Sequence, residues 1–85
     1  MREITFTRWL PGFYKANLGR DAIGREMFAN IKKKGNKWEA EIRYASNGEI
    51  ARFAGIWESL KYAKDEIIRL SENFDPQLVR NHGLQ

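Results

Sequence analysis

Residues 28–43 read Phe28-Ala-Asn-Ile-Lys-Lys-Lys-Gly-Asn-Lys-Trp-Glu-Ala-Glu-Ile-Arg43, and this stretch decides the fold that the sequence predicts. Apolar and polar side chains alternate from Trp38 to Arg43, which is the pattern of a strand with one buried face. Gly35-Asn36 is a two-residue turn signal that joins this strand to an earlier one at about residues 27–33. The stretch therefore predicts an antiparallel hairpin.

The segment 21–34 also has features of a helix, which is the alternative to the first of these strands. Asp21 can serve as the N-cap of such a helix, lysines occupy its last turn, and Gly35 follows as a C-cap. Gly24 and Asn30 would lie inside it, however, and the apolar residues alternate as a strand requires. The strand is the favoured interpretation.

A second hairpin is predicted after Arg43, because Asn47-Gly48 supplies the positive φ that both central residues of a type I′ turn require. A two-residue loop at this place puts Arg43 opposite Arg52, Ile42 opposite Phe53 and Trp38 opposite Trp57. The first hairpin gives three comparable pairs, which are Ile31 with Ala40, Ala29 with Ile42, and Lys32 with Glu39. Both hairpins then place one apolar set on a shared inner face, namely Ala29, Ile31, Trp38, Ala40, Ile42 and Phe53.

A C-terminal helix is predicted after Ser59, since a serine hydroxyl is a good N-cap. Apolar residues recur from there at steps of three and four, at Leu60, Ala63, Ile67, Leu70 and Phe74. Such a stripe would cover the inner face of the sheet. Asp75-Pro76 is expected to end the helix, because proline disfavours a helical conformation of the residue before it.

The N-terminal region is less regular. Ile4 and Phe6 alternate with threonines, which predicts a short strand over residues 3–9, and Pro11-Gly12 predicts a turn after it. The chain is thus expected to be α+β, with a three-stranded antiparallel sheet packed on one C-terminal helix and an N-terminal strand as an optional fourth. The expected divisions are an aromatic arm at 1–26, a β-β-β-α domain at 27–74 and a loose tail at 75–85.

The composition fits one small domain. Its 85 residues are enough for a single modest core, and 42% of them are hydrophobic. The chain contains no cysteine, which excludes disulfides and thiolate metal sites. No apolar run approaches the ~20 residues that span a bilayer, so we expect a soluble cytoplasmic protein with no membrane contact. The formal net charge of +4 favours a polyanionic partner.

The face opposite the predicted core concentrates basic side chains. The candidate DNA-binding residues are Lys32, Lys33, Lys34, Lys37, Arg43 and Arg52. Arg43 and Arg52 form a like-charge pair in the predicted register, which is destabilising by about 0.2–1 kcal/mol. A DNA phosphate or a guanine edge would accept both guanidinium groups and remove this repulsion. In the alternative interpretation, Glu41 bridges the two arginines and the cluster is a surface ion-pair network.

Four segments together resemble a known family, and they are Ala29 to Arg43, Asn47-Gly48, Gly55-Ile-Trp57 and Ser59-Leu-Lys-Tyr-Ala63. They are similar to the N-terminal arm-type DNA-binding domain of phage and transposon tyrosine integrases. The related plant APETALA2-type domains share the strand seen here from Lys37 to Arg43. The resemblance implies a three-stranded sheet in the major groove of double-stranded DNA, with a helix on its other side. It also implies an accessory or regulatory role in a phage or mobile element, with contacts from Lys32, Lys34, Lys37, Arg43 and Arg52.

No catalytic, metal or cofactor site is expected. Glu39 and Glu41 share a face with basic neighbours, so we interpret them as ion-pair partners and not as catalytic acids. His82 stands alone near the C-terminus, without a cysteine that could share a metal ion with it. The sequence therefore favours a binding protein over an enzyme.

The aromatic arm motivates an alternative function. Under this hypothesis, the protein is a phage-encoded inhibitor or adaptor that binds a host protein through Trp9, Phe13 and Tyr14. If the arm folded across the sheet, it would also cover the arginines. RNA binding by the same sheet is a third option.

Overall fold

The computed structural model describes residues 4–21 and 23–72, which form one antiparallel sheet and one helix. The elements in chain order are β1 (Phe6–Leu10), β2 (Phe13–Arg20), β3 (Glu26–Lys34), β4 (Lys37–Tyr44), β5 (Ile50–Trp57) and α1 (Leu60–Ser71). Each strand pairs with the next, so the sheet order is β1-β2-β3-β4-β5. The predicted α+β class and the C-terminal helix are confirmed, but the described sheet has five strands where the sequence predicted three or four.

The hairpin of β3 and β4 has the predicted register. Its pairs include Ile31 with Ala40, Ala29 with Ile42, and Lys32 with Glu39. Lys34 lies opposite Lys37, so Gly35-Asn36 is the two-residue loop that the sequence predicts. Gly35 has a φ of +65°, a conformation that glycine adopts without steric cost. The alternative helix over residues 21–34 is excluded.

The connection between β4 and β5 differs from the predicted type I′ turn. Residues 45–49 separate the two strands, so the loop is longer than the predicted pair of residues. Gly48 has a φ of +74°, but no described residue other than glycine has a positive φ, so Asn47 does not adopt the conformation that a type I′ turn requires. Instead, Asn47 Oδ1 accepts a hydrogen bond from the amide of Glu49 at 2.9 Å.

Two β-bulges interrupt the pairing of β5 with β4. Trp57 lies opposite Trp38, as predicted, but the pairing then skips Ala54 and later Ala51. Gly55, next to the first bulge, has a φ of +102°. A Cβ atom at this position would lie 3.1 Å from Trp57 Nε1. The bulge therefore depends on a glycine, and an isolated glycine inside a strand is the usual sign of one.

The bulges change the faces on which the side chains of β5 lie, because one extra residue reverses the alternation. Phe53 lies opposite Glu41 and is exposed, although the sequence placed it in the core. Arg52 lies opposite the fully buried Ile42. The predicted pairs of Arg43 with Arg52 and of Ile42 with Phe53 are both wrong.

The N-terminal arm forms β1 and β2 and extends the sheet at its edge. Pro11-Gly12 makes the predicted turn, with a φ of +78° at Gly12. The sequence does not predict β2, because a bulge between Asn17 and Gly19 breaks its alternation. Asn17 Oδ1 accepts a hydrogen bond from the Gly19 amide at 2.9 Å at this bulge. Since β2 pairs edge to edge with β3, the described part of the arm does not fold across the sheet.

The hydrophobic core lies between α1 and one face of the sheet, which we call the inner face. Its buried members are Ala16, Leu18, Met27, Ala29, Ile31, Ala40, Ile42, Ala54, Ala63, Ile67 and Leu70. Trp38 and Trp57, which the sequence places on the core side, are half-buried and pack against this cluster. Every strand from β2 to β5 contributes to the core. The packing of α1 therefore stabilises the central part of the sheet.

Helix α1 begins as the sequence predicts. Ser59 is its N-cap, and the Ser59 hydroxyl accepts a hydrogen bond from the amide of Tyr62 at 3.1 Å. The predicted apolar stripe is buried at Ala63, Ile67 and Leu70, with Leu60 packed at its margin. Phe74, the predicted stop at Asp75-Pro76 and the predicted tail at 75–85 lie outside the described residues.

Candidate nucleic-acid interface

The face of the sheet opposite the core, which we call the outer face, is the candidate site. Directly opposite residues of antiparallel strands share a face, so strand pairing identifies the side chains that lie there. They are Thr7, Leu10, Phe13, Lys15, Asn17, Arg20, Glu26, Phe28, Asn30, Lys32, Lys34, Lys37, Glu39, Glu41, Arg43, Ile50, Phe53 and Ile56. Within residues 4–21 and 23–72, no helix or strand packs on this face, because α1 lies on the inner one.

Glu41 organises the centre of the outer face, although its side chain is only 5% exposed. Arg43 Nε lies 2.6 Å from Glu41 Oε2, and Arg43 Nη2 lies 3.3 Å from Oε1. Asn30 Nδ2 donates to Glu41 Oε2 at 3.3 Å, and Lys32 Nζ lies 3.9 Å from the same oxygen. We call Asn30, Lys32, Glu41 and Arg43 the Glu41 network.

Arg43 has a structural role in this network. Besides its two contacts with Glu41, Arg43 Nη1 donates a hydrogen bond to the carbonyl oxygen of Gly48. The guanidinium group thus joins β4 to the loop that leads into β5. The alternative interpretation of the sequence, in which Glu41 bridges Arg43 and Arg52, is right for Arg43 but wrong for Arg52, which lies opposite Ile42.

The network lowers the pKa of Glu41. Burial by itself raises the pKa of this carboxyl group, but hydrogen bonds from Arg43 and Asn30, together with the charges of Arg43 and Lys32, outweigh the effect of burial. The pKa therefore lies below the ordinary value of 4.5. At neutral pH the carboxylate is ionised and helps to hold β3 against β4.

Glu41 is expected to make the stability of the protein fall in acid. Because its pKa is lower in the folded chain, its contribution is complete above the ordinary value of 4.5 and is lost as the pH falls through the folded value. Below that ordinary value, the free energy of unfolding of the Glu41→Gln variant should depend less steeply on pH than that of the wild-type protein. The difference is at most ~1.4 kcal/mol per pH unit, the limit for one proton. Urea unfolding at a series of acid pH values measures both slopes, and parallel curves would contradict this role.

Three of the predicted lysines lie at one end of the outer side of the sheet. Lys34 Nζ lies 3.2 Å from Glu39, and Lys37 Nζ lies 3.4 Å from Glu58. Lys32 belongs to the Glu41 network. Lys34 and Lys37 are exposed, and ion pairs of exposed lysines contribute only ~0–1 kcal/mol. These two lysines can therefore exchange a carboxylate for a phosphate at little cost, whereas the partner of Lys32 is the buried Glu41.

Arg52, which the sequence places beside Arg43, lies instead on the helix side of the sheet. It is opposite Ile42, and its charge reaches α1. There, a hydrogen bond from Arg69 is the main cause that lowers the pKa of Glu66, and the charge of Arg52 adds to the effect. The bulges of β5 account for the wrong prediction. The outer face therefore lacks the arginine pair that was expected to bind a DNA phosphate or a guanine edge.

Lys33 and Tyr14 also lie on the inner side, where both contact Trp38. Lys33 Nζ lies 5.6 Å from the centroid of the Trp38 ring, and the centroids of Tyr14 and Trp38 are 6.0 Å apart. Trp9 and Phe13 lie on the outer side, so the three aromatic residues proposed to hold a protein partner do not share one face. Lys33 likewise points away from the lysines on either side of it.

Lys15 is a cation of the outer face that the sequence analysis missed. It lies opposite Asn30, with its Nζ 5.0 Å from the centroid of the Trp9 ring and 4.7 Å from that of Phe28. No carboxylate in the described part of the chain forms an ion pair with it. The apolar–polar alternation over residues 14–18 is the signal that would have located it.

Trp9, Lys15 and Phe28 border an open groove of about 550 Å³ at the β1 edge of the outer face. We call it the Trp9 groove. The residues that line it are Thr5, Thr7, Trp9, Lys15, Ala16, Asn17 and Phe28. It combines a cation, two aromatic rings and small polar groups.

The opposite edge of the outer face is apolar. Ile50, Phe53 and Ile56 of β5 all have exposed side chains, and we call them the β5 ridge. The bulges of β5 bring Phe53 into this ridge. The outer face thus has a cationic and aromatic edge, a centre of ion pairs and an apolar edge.

Comparison with family models, with curated proteins and with solved structures gives no match to this chain. The resemblance to the integrase arm-type domain therefore stays a prediction. In the residues that the structure describes, no group of three or more histidine, cysteine, aspartate or glutamate side chains could hold a metal ion. Those residues also form no helix with the length and apolar character needed to cross a membrane.

Proposed function

We propose that the protein binds double-stranded DNA through its outer face, with Lys15, Lys32, Lys34 and Lys37 contacting phosphates. The observation that carries this proposal is Lys15, a cation on an uncovered sheet face without an acidic partner among the described residues. A phosphate would supply the missing counter-charge. The formal net charge of +4 and the resemblance to the integrase arm-type domain favour the same class of ligand.

Contacts with the DNA backbone supply most of the affinity in this proposal. Lysine ammonium groups position a protein on phosphates but carry little sequence information. Arg43, which the sequence predicts to bind a phosphate or a guanine edge, is occupied by Glu41 and Gly48, and Arg52 lies on the other side of the sheet. We therefore expect weak sequence preference.

The width of the sheet limits how it can meet a duplex. Five strands spaced by ~4.8 Å place β1 about 19 Å from β5, whereas the major groove is about 12 Å wide. The whole outer face cannot enter the groove. The lysines lie on β2, β3 and β4, so this central part of the sheet faces the DNA, and both edges extend past the groove.

Affinity for duplex DNA is expected to fall steeply with salt. Four lysine–phosphate contacts correspond to a slope of roughly −3 to −4 in a plot of log affinity against log salt concentration, or ~100-fold between 50 and 200 mM salt. Fluorescence anisotropy with a labelled duplex of arbitrary sequence measures this slope. No binding at the lowest salt, or binding that salt leaves unchanged, would overturn the proposal.

The β5 ridge favours a second candidate function, which is binding of a protein partner with an apolar surface. Ile50, Phe53 and Ile56 expose three large apolar side chains in a row on one strand, and such patches mark interaction sites in soluble proteins. The titration with duplex DNA separates the two functions. If no DNA binds at low salt, the β5 ridge becomes the main candidate for a binding surface, and a protein becomes the expected partner.

A further inference from the structure

We propose that the Trp9 groove binds an unpaired nucleotide, so that the protein prefers single-stranded DNA, or a duplex with a single-stranded segment, over fully paired DNA. This inference rests on the DNA-binding function proposed above. In this proposal, the Trp9 groove at the β1 edge of the outer face contacts a base, whereas the lysines contact phosphates.

Trp9 presents a large aromatic ring to solvent, since the residue is 62% exposed. The pairing of β1 with β2 shifts between Arg8 and Leu10, and Trp9 lies at this irregularity. Its ring is therefore presented at the edge of the sheet. Exposed aromatic rings next to cations are the common feature of surfaces on which unpaired bases stack.

Lys15 provides the charge that a nucleotide requires. Its ammonium group lies between the rings of Trp9 and Phe28, at 5.0 and 4.7 Å from their centroids. Cation–π attraction favours this position, and within the described residues no carboxylate neutralises the charge. A phosphate next to a base stacked on Trp9 would lie within reach of the ammonium group.

Polar groups in the groove can hold the base edge. Asn17 Oδ1 is occupied by the Gly19 amide, which fixes the orientation of the side chain and leaves its Nδ2 as a hydrogen-bond donor. Thr5 and Thr7, which carry hydroxyl groups, line the same groove. A volume of about 550 Å³ lies within the usual range for small-ligand sites. The groove is therefore large enough to hold one nucleotide.

The preference for an unpaired nucleotide follows from what a duplex exposes. Inside a duplex, the flat face of each base is covered by its neighbours in the stack, and only base edges are accessible in the grooves. Trp9 can stack only on a base that has left the helix or was never paired. A duplex would reach the lysines of the outer face, including Lys15, but would place no base against the ring of Trp9.

The test compares oligothymidine with a duplex of equal length at one salt concentration. The wild-type protein should bind oligothymidine ~10-fold more tightly than the duplex, since stacking of a base on an aromatic side chain contributes about this much. Trp9→Ala should abolish this difference, because affinity for oligothymidine should fall much more than affinity for the duplex, while Trp9→Phe should keep most of it. Tyr62→Ala removes an exposed aromatic side chain from α1 and serves as the matched control.

Tryptophan fluorescence supplies a readout that does not depend on affinity. Stacking of thymine on Trp9 should quench its emission, and Trp9→Phe should lose the quenching while still binding. Equal wild-type affinity for both DNAs, or equal losses for both in Trp9→Ala, would overturn the stacking site alone. Absence of binding to either DNA would overturn the proposed DNA-binding function as well.

Discussion

Replacing Ile67 by alanine is expected to lower the free energy of unfolding by ~2–5 kcal/mol, a large part of the total for a domain of this size. Ile67 is fully buried in α1, in the cluster that joins the helix to the inner face of the sheet. The substitution removes three carbon atoms and leaves a cavity that neighbouring side chains fill incompletely. Urea denaturation followed by circular dichroism measures the loss.

The next residue of the helix is the matched control. Ile68→Ala makes the same chemical change with the same gain in helix propensity, but 38% of the Ile68 side chain is exposed. We expect this variant to lose less than ~1 kcal/mol. Equal losses in the two variants would contradict the conclusion that α1 packs on the sheet through the face that contains Ile67.

The centre of the fold can be predicted from the sequence because its signals are local. A two-residue loop at Gly35-Asn36 sets the register of β3 and β4, and strict alternation from Trp38 to Arg43 assigns each side chain to a face. The N-cap at Ser59 and the stripe that follows it place α1 in the same way. In each case, residues close in the chain determine the result.

The edges of the sheet could not be predicted because their geometry depends on irregular pairing. The apolar pattern of β5 does not reveal the bulges at Ala51 and Ala54. These bulges nevertheless move Arg52 to the inner side and Phe53 to the outer side. Gly55, whose φ is +102°, is the sequence signal that favours a bulge over regular pairing. The bulge between Asn17 and Gly19 interrupts the alternation of β2 in a comparable way, so the sequence does not predict this strand.

The candidate site is predictable to the same extent as the strands that carry it. Lys32, Lys34 and Lys37 belong to the hairpin that was correctly predicted, and they lie on the outer side. Lys15 lies on β2, which was missed, so its position beside Trp9 could not be inferred. Charge in the sequence therefore favours a polyanionic ligand, whereas strand pairing decides which cations share a face.

Charge reversal on the outer face is expected to have the largest effect on DNA binding. In the double variant Lys15→Glu with Lys32→Glu, two phosphate contacts become two repulsive ones, and affinity for duplex DNA at low salt should fall by ~100-fold or more. Lys15→Gln with Lys32→Gln removes the contacts without adding repulsion near Glu41, and should lower affinity by ~10-fold. Anisotropy titrations with a labelled duplex measure both.

Lys33 makes a sharp control, because it is the sequence neighbour of Lys32 but lies on the inner side against Trp38. The double variant Lys33→Glu with Lys61→Glu adds a change on the exposed surface of α1. Each replacement of lysine by glutamate lowers the net charge by two units, so both double variants have the same net charge. A general attraction between a basic protein and DNA would weaken equally in both, whereas binding through the outer face predicts that the control keeps affinity within about threefold. Equal losses, with circular dichroism showing both variants folded, would show that the outer face is not the DNA-binding surface.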